Sequence, residues 1–396
     1  MTVMKRILLP VFVAASVALA GQDLAPVIKS VQEKYAPDKR TALFSVEAIK
    51  TNGPVVLNGE TNIPQAKAEL LEKAAKSNVE IIDAINVLPD EKGLEGKTYG
   101  VVSISVATLR YGPSYASEQA SQLLMGTPVR ILKKSGWYLV QTPENYIAWV
   151  SASGITPMTK QQYNEYVSAK KVIYLPEYGF AYSKPDVKSE RVSDVVAGNM
   201  FKYEGTKGKF AKVSFADGRE AYIPKSEVTD FSAWAKNTRP TEESIIKTAY
   251  RFMGVPYLWA GTSSKMLDCS GFSKTVYLLN GLILARDASQ QCLTGQNIDV
   301  SEGYKNLRPG DLVFFGNRKA DGSPNRVWHV GIYVGDGIFI HEAGKVHLTS
   351  FNPEHKDIYS KYYVDILMRA TRIIGTEDKG MGVTSVENNP YFALQQ

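Results

Sequence analysis

The sequence predicts a multidomain α+β protein: a small N-terminal α+β unit, two small β-barrels, and a C-terminal α+β domain that carries the chemistry. Three observations lead there. A length of 396 residues allows about three domains. The texture shifts along the chain, from helices mixed with strands to short strands broken by turn residues, then back to helix and strand. Late in the chain a cysteine sits where a loop enters a helix, and two histidines follow on a strand pair. Composition adds a boundary condition: 44% hydrophobic and 22% charged residues are those of an ordinary globular protein. A net charge of +6, with no Lys/Arg run longer than two residues, gives no footprint for nucleic acid.

The first twenty residues read as a secretory signal peptide. Lys5 and Arg6 supply the positive start, residues 7–19 an apolar stretch, and Ala18-Leu19-Ala20 a cleavage site. The apolar stretch is short for a membrane span, and no cysteine follows it to carry a lipid. The mature chain is expected to begin near Gly21 and to work in the periplasm or outside the cell.

Residues 21–95 form the N-terminal α+β unit. Helical spacing runs over 24–35, short strands over 41–48 and 54–59, an Ala/Leu/Glu/Lys-rich helix over 65–77, and a strand over 79–87. No chemistry is visible in it, and it reads as a scaffold. Residues 96–160 turn to short strands at 99–102, 107–110, 122–125, 129–132, 137–140 and 146–150. The run Leu109-Arg110, Pro113-Ser114, Gly126, Trp137 and Tyr146-Ile147-Ala148-Trp149-Val150 resembles bacterial SH3-like domains, with Asn145 where a glycine is usual. A poorer copy spans 161–235, marked by Tyr182-Ser183-Lys184-Pro185, Gly198 and Asp217-Gly218. The pair is a weak internal repeat, so two SH3-like β-barrels are expected. A linker lies around 236–240, the chemistry in 240–375, and a polar stretch with little periodicity, expected to be a loosely held tail, in 376–396.

Cys269 follows a turn-rich lead-in and opens a stretch apolar at 272, 276 and 279, one face of a helix. A helix N-terminus presents unpaired N–H groups and a positive dipole end. The thiol pKa is therefore expected to fall, and the same N–H groups can hold an oxyanion. Cys292 reads as a small core residue; spacing alone leaves a disulfide between the two cysteines open. A thiol nucleophile needs a base, and the base an orienter. Four histidines are available: His329, His341, His347 and His355. His329 begins a buried strand, Gly335-Asp336-Gly337 marks a turn, and His341 ends the returning strand. With a three-residue loop centred on Asp336, His341 falls opposite Gly331 and His329 becomes its diagonal neighbour on the same face. A two-residue turn would put the two rings on opposite faces. The order, Cys-bearing helix and then antiparallel sheet with two His, matches papain-like folds.

Taken together, Asp268-Cys269-Ser270-Gly271-Phe272, Arg286-Asp287-Ala288-Ser289-Gln290-Gln291, Arg308-Pro309-Gly310-Asp311-Leu312, His329-Val330-Gly331-Ile332-Tyr333 and Phe339-Ile340-His341 resemble the NlpC-type peptidoglycan cysteine peptidases over about residues 240–372. The resemblance implies a papain-like α+β catalytic domain that hydrolyses amide bonds in the stem peptides of bacterial cell wall, commonly between γ-D-Glu and the diamino acid. It implies Cys269 as nucleophile, His329 as base and later acid, His341 as orienter, and Tyr257 beside the oxyanion. With SH3-like domains ahead, it points to the subgroup that releases L-Ala-γ-D-Glu from stems with an unblocked L-Ala amine. In that subgroup Asp287, Glu118 and Tyr146 would meet the ammonium, and Asp268 and Ser270 the D-Glu portion. The alternative is an endopeptidase of intact wall anchored by its SH3-like domains. No cofactor or metal is implied, since the histidines lack an HExxH pattern. The expected partners are stem peptides alone, with the chain a monomer.

Overall fold

A computed structural model describes residues 23–51, 53–77, 79–319 and 324–395; the expected signal peptide lies outside them. The N-terminal unit runs α1 (Ala25–Tyr35), β1 (Phe44–Lys50), β2 (Val55–Thr61), α2 (Pro64–Ala74), β3 (Ile81–Val87). β1 pairs antiparallel and β3 parallel with the central β2. Pro64 opens α2, where its missing N–H costs nothing. Both helices pack on one side of the sheet around Val31, Leu57, Ala66 and Leu70, all fully buried.

The first barrel follows with β4 (Tyr99–Val102), β5 (Val106–Arg110), β6 (Gln119–Leu124), β7 (Pro128–Ser135), β8 (Trp137–Gln141), β9 (Ile147–Ser151) and β10 (Ile155–Met158). After helix α3 (Lys160–Ser168) come β11 (Lys171–Tyr174), β12 (Tyr178–Tyr182), β13 (Arg191–Val196), β14 (Met200–Lys207), β15 (Phe210–Ser214), β16 (Glu220–Pro224) and β17 (Val228–Asp230). The two sheets have the same strand order, β10-β4-β7-β8-β9-β5-β6 and β17-β11-β14-β15-β16-β12-β13. Asn145 takes a positive φ of 66° before β9, and Gly218 one of 89° before β16. Asparagine tolerates the left-handed region better than most residues, which is how it substitutes for glycine at this corner.

Helices α4 (Phe231–Asn237) and α5 (Glu242–Tyr250) lead into the C-terminal domain. Thr241 and Ser244 form a reciprocal cap at the start of α5. A short hairpin, β18 (Thr262–Ser263) and β19 (Met266–Leu267), precedes α6 (Cys269–Leu279); β20 (Leu282–Ile283), α7 (Ala288–Gln291) and β21 (Gln296–Ile298) follow. Then come β22 (Leu312–Arg318), β23 (Pro324–Gly335), β24 (Ile338–Glu342), β25 (Val346–Ser350), α8 (Lys361–Asp365), β26 (Leu367–Arg372) and β27 (Thr384–Ser385). Strands β21-β26-β22-β23-β24-β25 make one six-stranded sheet. Its even-numbered residues Leu312, Phe314, Val330, Ile332 and Ile340 bury against α6 through Phe272 and Val276. That packing sets the start of α6 against one end of the sheet. Among the described residues no helix is long and apolar enough to cross a membrane.

The expectation of a loose C-terminal tail is corrected. β27 pairs with β20, Val383 and Val386 are buried, and the Phe392 ring lies tilted against Phe231 with centroids 5.7 Å apart. Asn389, 2% exposed, donates from Nδ2 to the Pro143 carbonyl at 3.0 Å. Few apolar residues suffice here because each fills a groove already lined by other units.

Candidate active site

Cys269 is the first residue of α6, and Asp268 caps it by accepting from the Gly271 N–H at 2.6 Å. The lead-in folds back over that turn: Leu258 N–H donates to Leu267 O at 2.9 Å and Asp268 N–H to Gly261 O at 3.0 Å. A Cβ at Gly271 would stand 1.9 Å from the Gly261 oxygen, so only glycine allows this approach. Ala260 holds a positive φ of 63°, and its N–H donates to Asp268 Oδ2 at 3.0 Å. The nucleophile position is thus fixed by a closed loop–helix junction.

On the sheet, His341 stands opposite Gly331, and His329 Nε2 lies 2.7 Å from His341 Nδ1. A Cβ at Gly331 would press on Phe339 and on His341 Cβ, at 2.9 and 3.2 Å. The route to this register differs from the expected three-residue loop. Gly335 pairs with Ile338, so the turn is two residues, Asp336 and Gly337, at φ 50° and 75°. Such a turn alone would flip the parity. A bulge between Tyr333 and Gly335 takes up the extra residue and restores it. His341 Nε2 then reaches Thr349 Oγ1 at 2.9 Å, a partner the sequence did not flag. Cys269 Sγ lies 3.9 Å from the carbonyl oxygen of Trp328, the residue before His329. Both cysteines are free.

The expected drop in the Cys269 pKa does not occur. Burial pushes the thiol up to about 12, with the Asp268 carboxylate adding to it; the N–H groups of Val330 and Ser270 and the Arg286 charge act the other way and lose. Burial likewise pushes His329 down to about 4 and His341 down to about 2. The resting pair is therefore a neutral thiol and a neutral imidazole. With His329 still an unprotonated base well below pH 6.5, the acid limb of kcat/KM is expected near pH 4 rather than near an ordinary histidine value. The unfolded chain would protonate both histidines at about 6.5, so their burial stabilises the fold above that pH and the contribution is lost as pH falls toward their folded values. Circular dichroism at each pH separates the two effects; an acid limb at 6–7 with the fold intact would contradict the burial argument.

Beneath the loop lies a buried ion pair. Arg286, 1% exposed, reaches Asp268 Oδ2 from Nη2 at 2.6 Å and Asp268 Oδ1 from Nη1 at 3.3 Å. Its Nη1 also donates to Ser270 Oγ at 2.9 Å, and its Nε to Ser121 Oγ on β6 at 2.9 Å. The side chains of Asp268 and Ser270 do line the cleft, yet their polar atoms are largely committed to Arg286 and the capping turn. β6 is fastened further, with Gln122 Oε1 accepting from Thr262 N–H at 2.9 Å and from Ser263 Oγ at 3.1 Å. Glu342, beside His341, is fully buried with neither oxygen hydrogen-bonded among the described residues; burial and the Asp268 charge push it up to about 7.

The cleft above Cys269 encloses about 670 Å³. Tyr257, Trp259 and Trp328 form an exposed aromatic rim. Burial, with the neighbouring Asp268 carboxylate adding to it, raises the Tyr257 pKa, so its hydroxyl remains a donor. At the far end Tyr146, fully buried, donates to Asp287 Oδ2 at 3.3 Å, and its oxygen lies 3.1 Å from the Tyr111 hydroxyl. Glu118 is not brought to this place: it is exposed beyond the solvent end of the β5–β6 hairpin and does not line the cleft. Its strand neighbour Gln119 and Tyr111 line it instead. An unexpected cation also stands there. Arg40 of the N-terminal unit reaches Asp287 Oδ2 at 2.8 Å and Ser289 Oγ at 2.9 Å from Nη1.

A cysteine at a helix N-terminus, packed on an antiparallel sheet that supplies a histidine pair, defines a papain-like thiol peptidase. Residues 254–371 match the NlpC/P60 family and residues 105–156 the bacterial SH3 domain. The C-terminal part of the chain is an NlpC/P60 cysteine peptidase domain, carried behind SH3-like domains. A γ-D-glutamyl-L-lysine dipeptidyl-peptidase of Bacillus cereus is 29% identical over 57% of this chain and 68% of its own length. One of the same name from Bacillus subtilis is 35% identical, over 33% of this chain and 40% of its own length. Among solved structures, an NlpC/P60 family protein of Bacillus cereus superposes with a TM-score of 0.59 at 23% identity, over 70% of this chain and 99% of that one; this likeness concerns the fold.

Proposed function

We propose that the chain is a dipeptidyl-peptidase of peptidoglycan stem peptides, cutting between γ-D-Glu and the diamino acid and releasing L-Ala-γ-D-Glu from stems with a free L-Ala amine. One observation carries the reading: beyond Cys269 the cleft ends at Asp287 and Arg40, and behind them Asp38 pairs with the same guanidinium, so that two carboxylates share a single cation. That leaves one net negative charge for an ammonium, whose desolvation an apolar pocket would not offset. The relatives named for dipeptidyl-peptidase activity support the same bond.

In this reading Cys269 Sγ attacks the γ-carbonyl carbon of D-Glu while His329 Nδ1 takes the thiol proton. Its Nε2–H donates to His341 Nδ1, and His341 Nε2–H to Thr349, which fixes both tautomers. N–H groups at the start of α6 and the Tyr257 hydroxyl hold the oxyanion. His329 then gives its proton to the leaving amine of the diamino acid. Water attacks the thioester with His329 taking its proton, and the thiol is restored as the dipeptide leaves. We place this chemistry outside the cytoplasm, on the signal-peptide pattern of residues 1–20.

The test is a mass-spectrometric digest of L-Ala-γ-D-Glu-diaminopimelate and of the same peptide N-acetylated. Release of L-Ala-γ-D-Glu from the free peptide alone supports the proposal. Equal cleavage of both would replace it with an endopeptidase of intact wall.

A further inference from the structure

The N-terminal unit lies outside both matched family segments, yet it touches the cleft. It docks on the first barrel through its backbone: the Arg40 carbonyl accepts from Ile147 N–H at 2.7 Å, and the Thr41 carbonyl from Gln141 Nε2 at 3.1 Å. This sets residues 38–40 against α7 of the catalytic domain, where Gln290 Nε2 donates to Asp38 Oδ2 at 2.8 Å. Asp38 grips Arg40 with both oxygens, from Nε at 2.8 and 3.1 Å and from Nη2 at 2.8 Å. The remaining nitrogen is spent on Asp287 and Ser289. The guanidinium is thus held on three sides, and its orientation is set before any ligand arrives.

We propose that Arg40, braced by Asp38, is a specificity-determining residue: it closes the cleft just past the amine position and excludes stems whose L-Ala nitrogen continues into an acyl group. The inference rests on the free-amine reading above. A free ammonium ends at the wall and adds its positive charge to a cluster with one negative charge in excess. An acylated nitrogen brings no charge, and its continuing chain must occupy the space of the Arg40 side chain. Displacing that side chain separates a guanidinium from two carboxylates in a partly buried setting. On this view the unit is the third wall of the substrate cleft.

The experiment measures kcat/KM of the full chain, wild type, Arg40→Ala and Arg40→Gln, on the free and N-acetylated tripeptides. The wild-type preference for the free peptide is expected to shrink by about tenfold or more in Arg40→Ala, mostly through gained cleavage of the acetylated peptide. Arg40→Gln, which keeps more bulk, is expected to shift the same way by less, and stands in should the alanine variant fold poorly. Thermal melts confirm that the backbone docking holds. An unchanged preference in folded variants overturns the role of Arg40 and leaves the dipeptidyl-peptidase reading intact. A wild type without preference overturns that reading first, whatever the variants do.

Discussion

Arg286→Ala is expected to destabilise the protein by about 3–5 kcal/mol, because it strands a buried carboxylate. Asp268 is 6% exposed and accepts from the Arg286 fork, so its charge would lose its only ion-pair partner among the described residues. The same truncation leaves Ser270 without a donor inside the peptidase domain and Ser121 without the donor it meets across the domain boundary. Urea unfolding measures it directly. A loss below about 1 kcal/mol would place the pair with solvent-screened surface pairs, against its burial. Activity is expected to fall as well, since Asp268 caps the helix that starts at Cys269.

Cys269→Ala is expected to lower kcat/KM by a factor on the order of 10⁴ or more, with stability nearly unchanged. The side chain is small and buried, so removing its sulfur leaves little cavity, whereas no other thiol can replace it. Cys292, the second cysteine, is buried with Sγ 3.3 Å from the Ser289 carbonyl and outside the cleft lining. Residual turnover within about tenfold of wild type would show that another group attacks.

Much of this was readable in the sequence because it is local. The N-terminal helices and strands follow from spacing and helix formers within a few residues. The turn at 258–261 and the glycine at 271 lie within a dozen residues of the cysteine they position. The histidine register was readable only in part: the parity came out right, but through a short turn plus a bulge, and bulges have no simple sequence mark. Three features were out of reach for physical reasons. The pairing of Arg40 with Asp287 joins residues 247 positions apart and depends on how separate units dock. Glu118 carries the expected charge, but its placement depends on where the β5–β6 hairpin turns toward solvent. The thiol pKa is a contest between helix-end N–H groups, which the sequence displays, and desolvation, which only the folded packing reveals.

The cleft draws side chains from the N-terminal unit, the first barrel and the peptidase domain: Arg40, Tyr111 and Asp287 line it together, with Tyr146 bonded to Asp287 from behind. Ser121 and Gln122 of the barrel are bonded into the floor beneath the nucleophile. Such a site cannot be inherited piecemeal. A gene fusion that moved the peptidase domain alone onto a new partner would carry the nucleophile and its histidines but leave behind the end wall. Recombination at the domain boundaries would then separate the nucleophile from the residues that close the cleft, and that closed end would persist only in lineages that keep the whole assembly together.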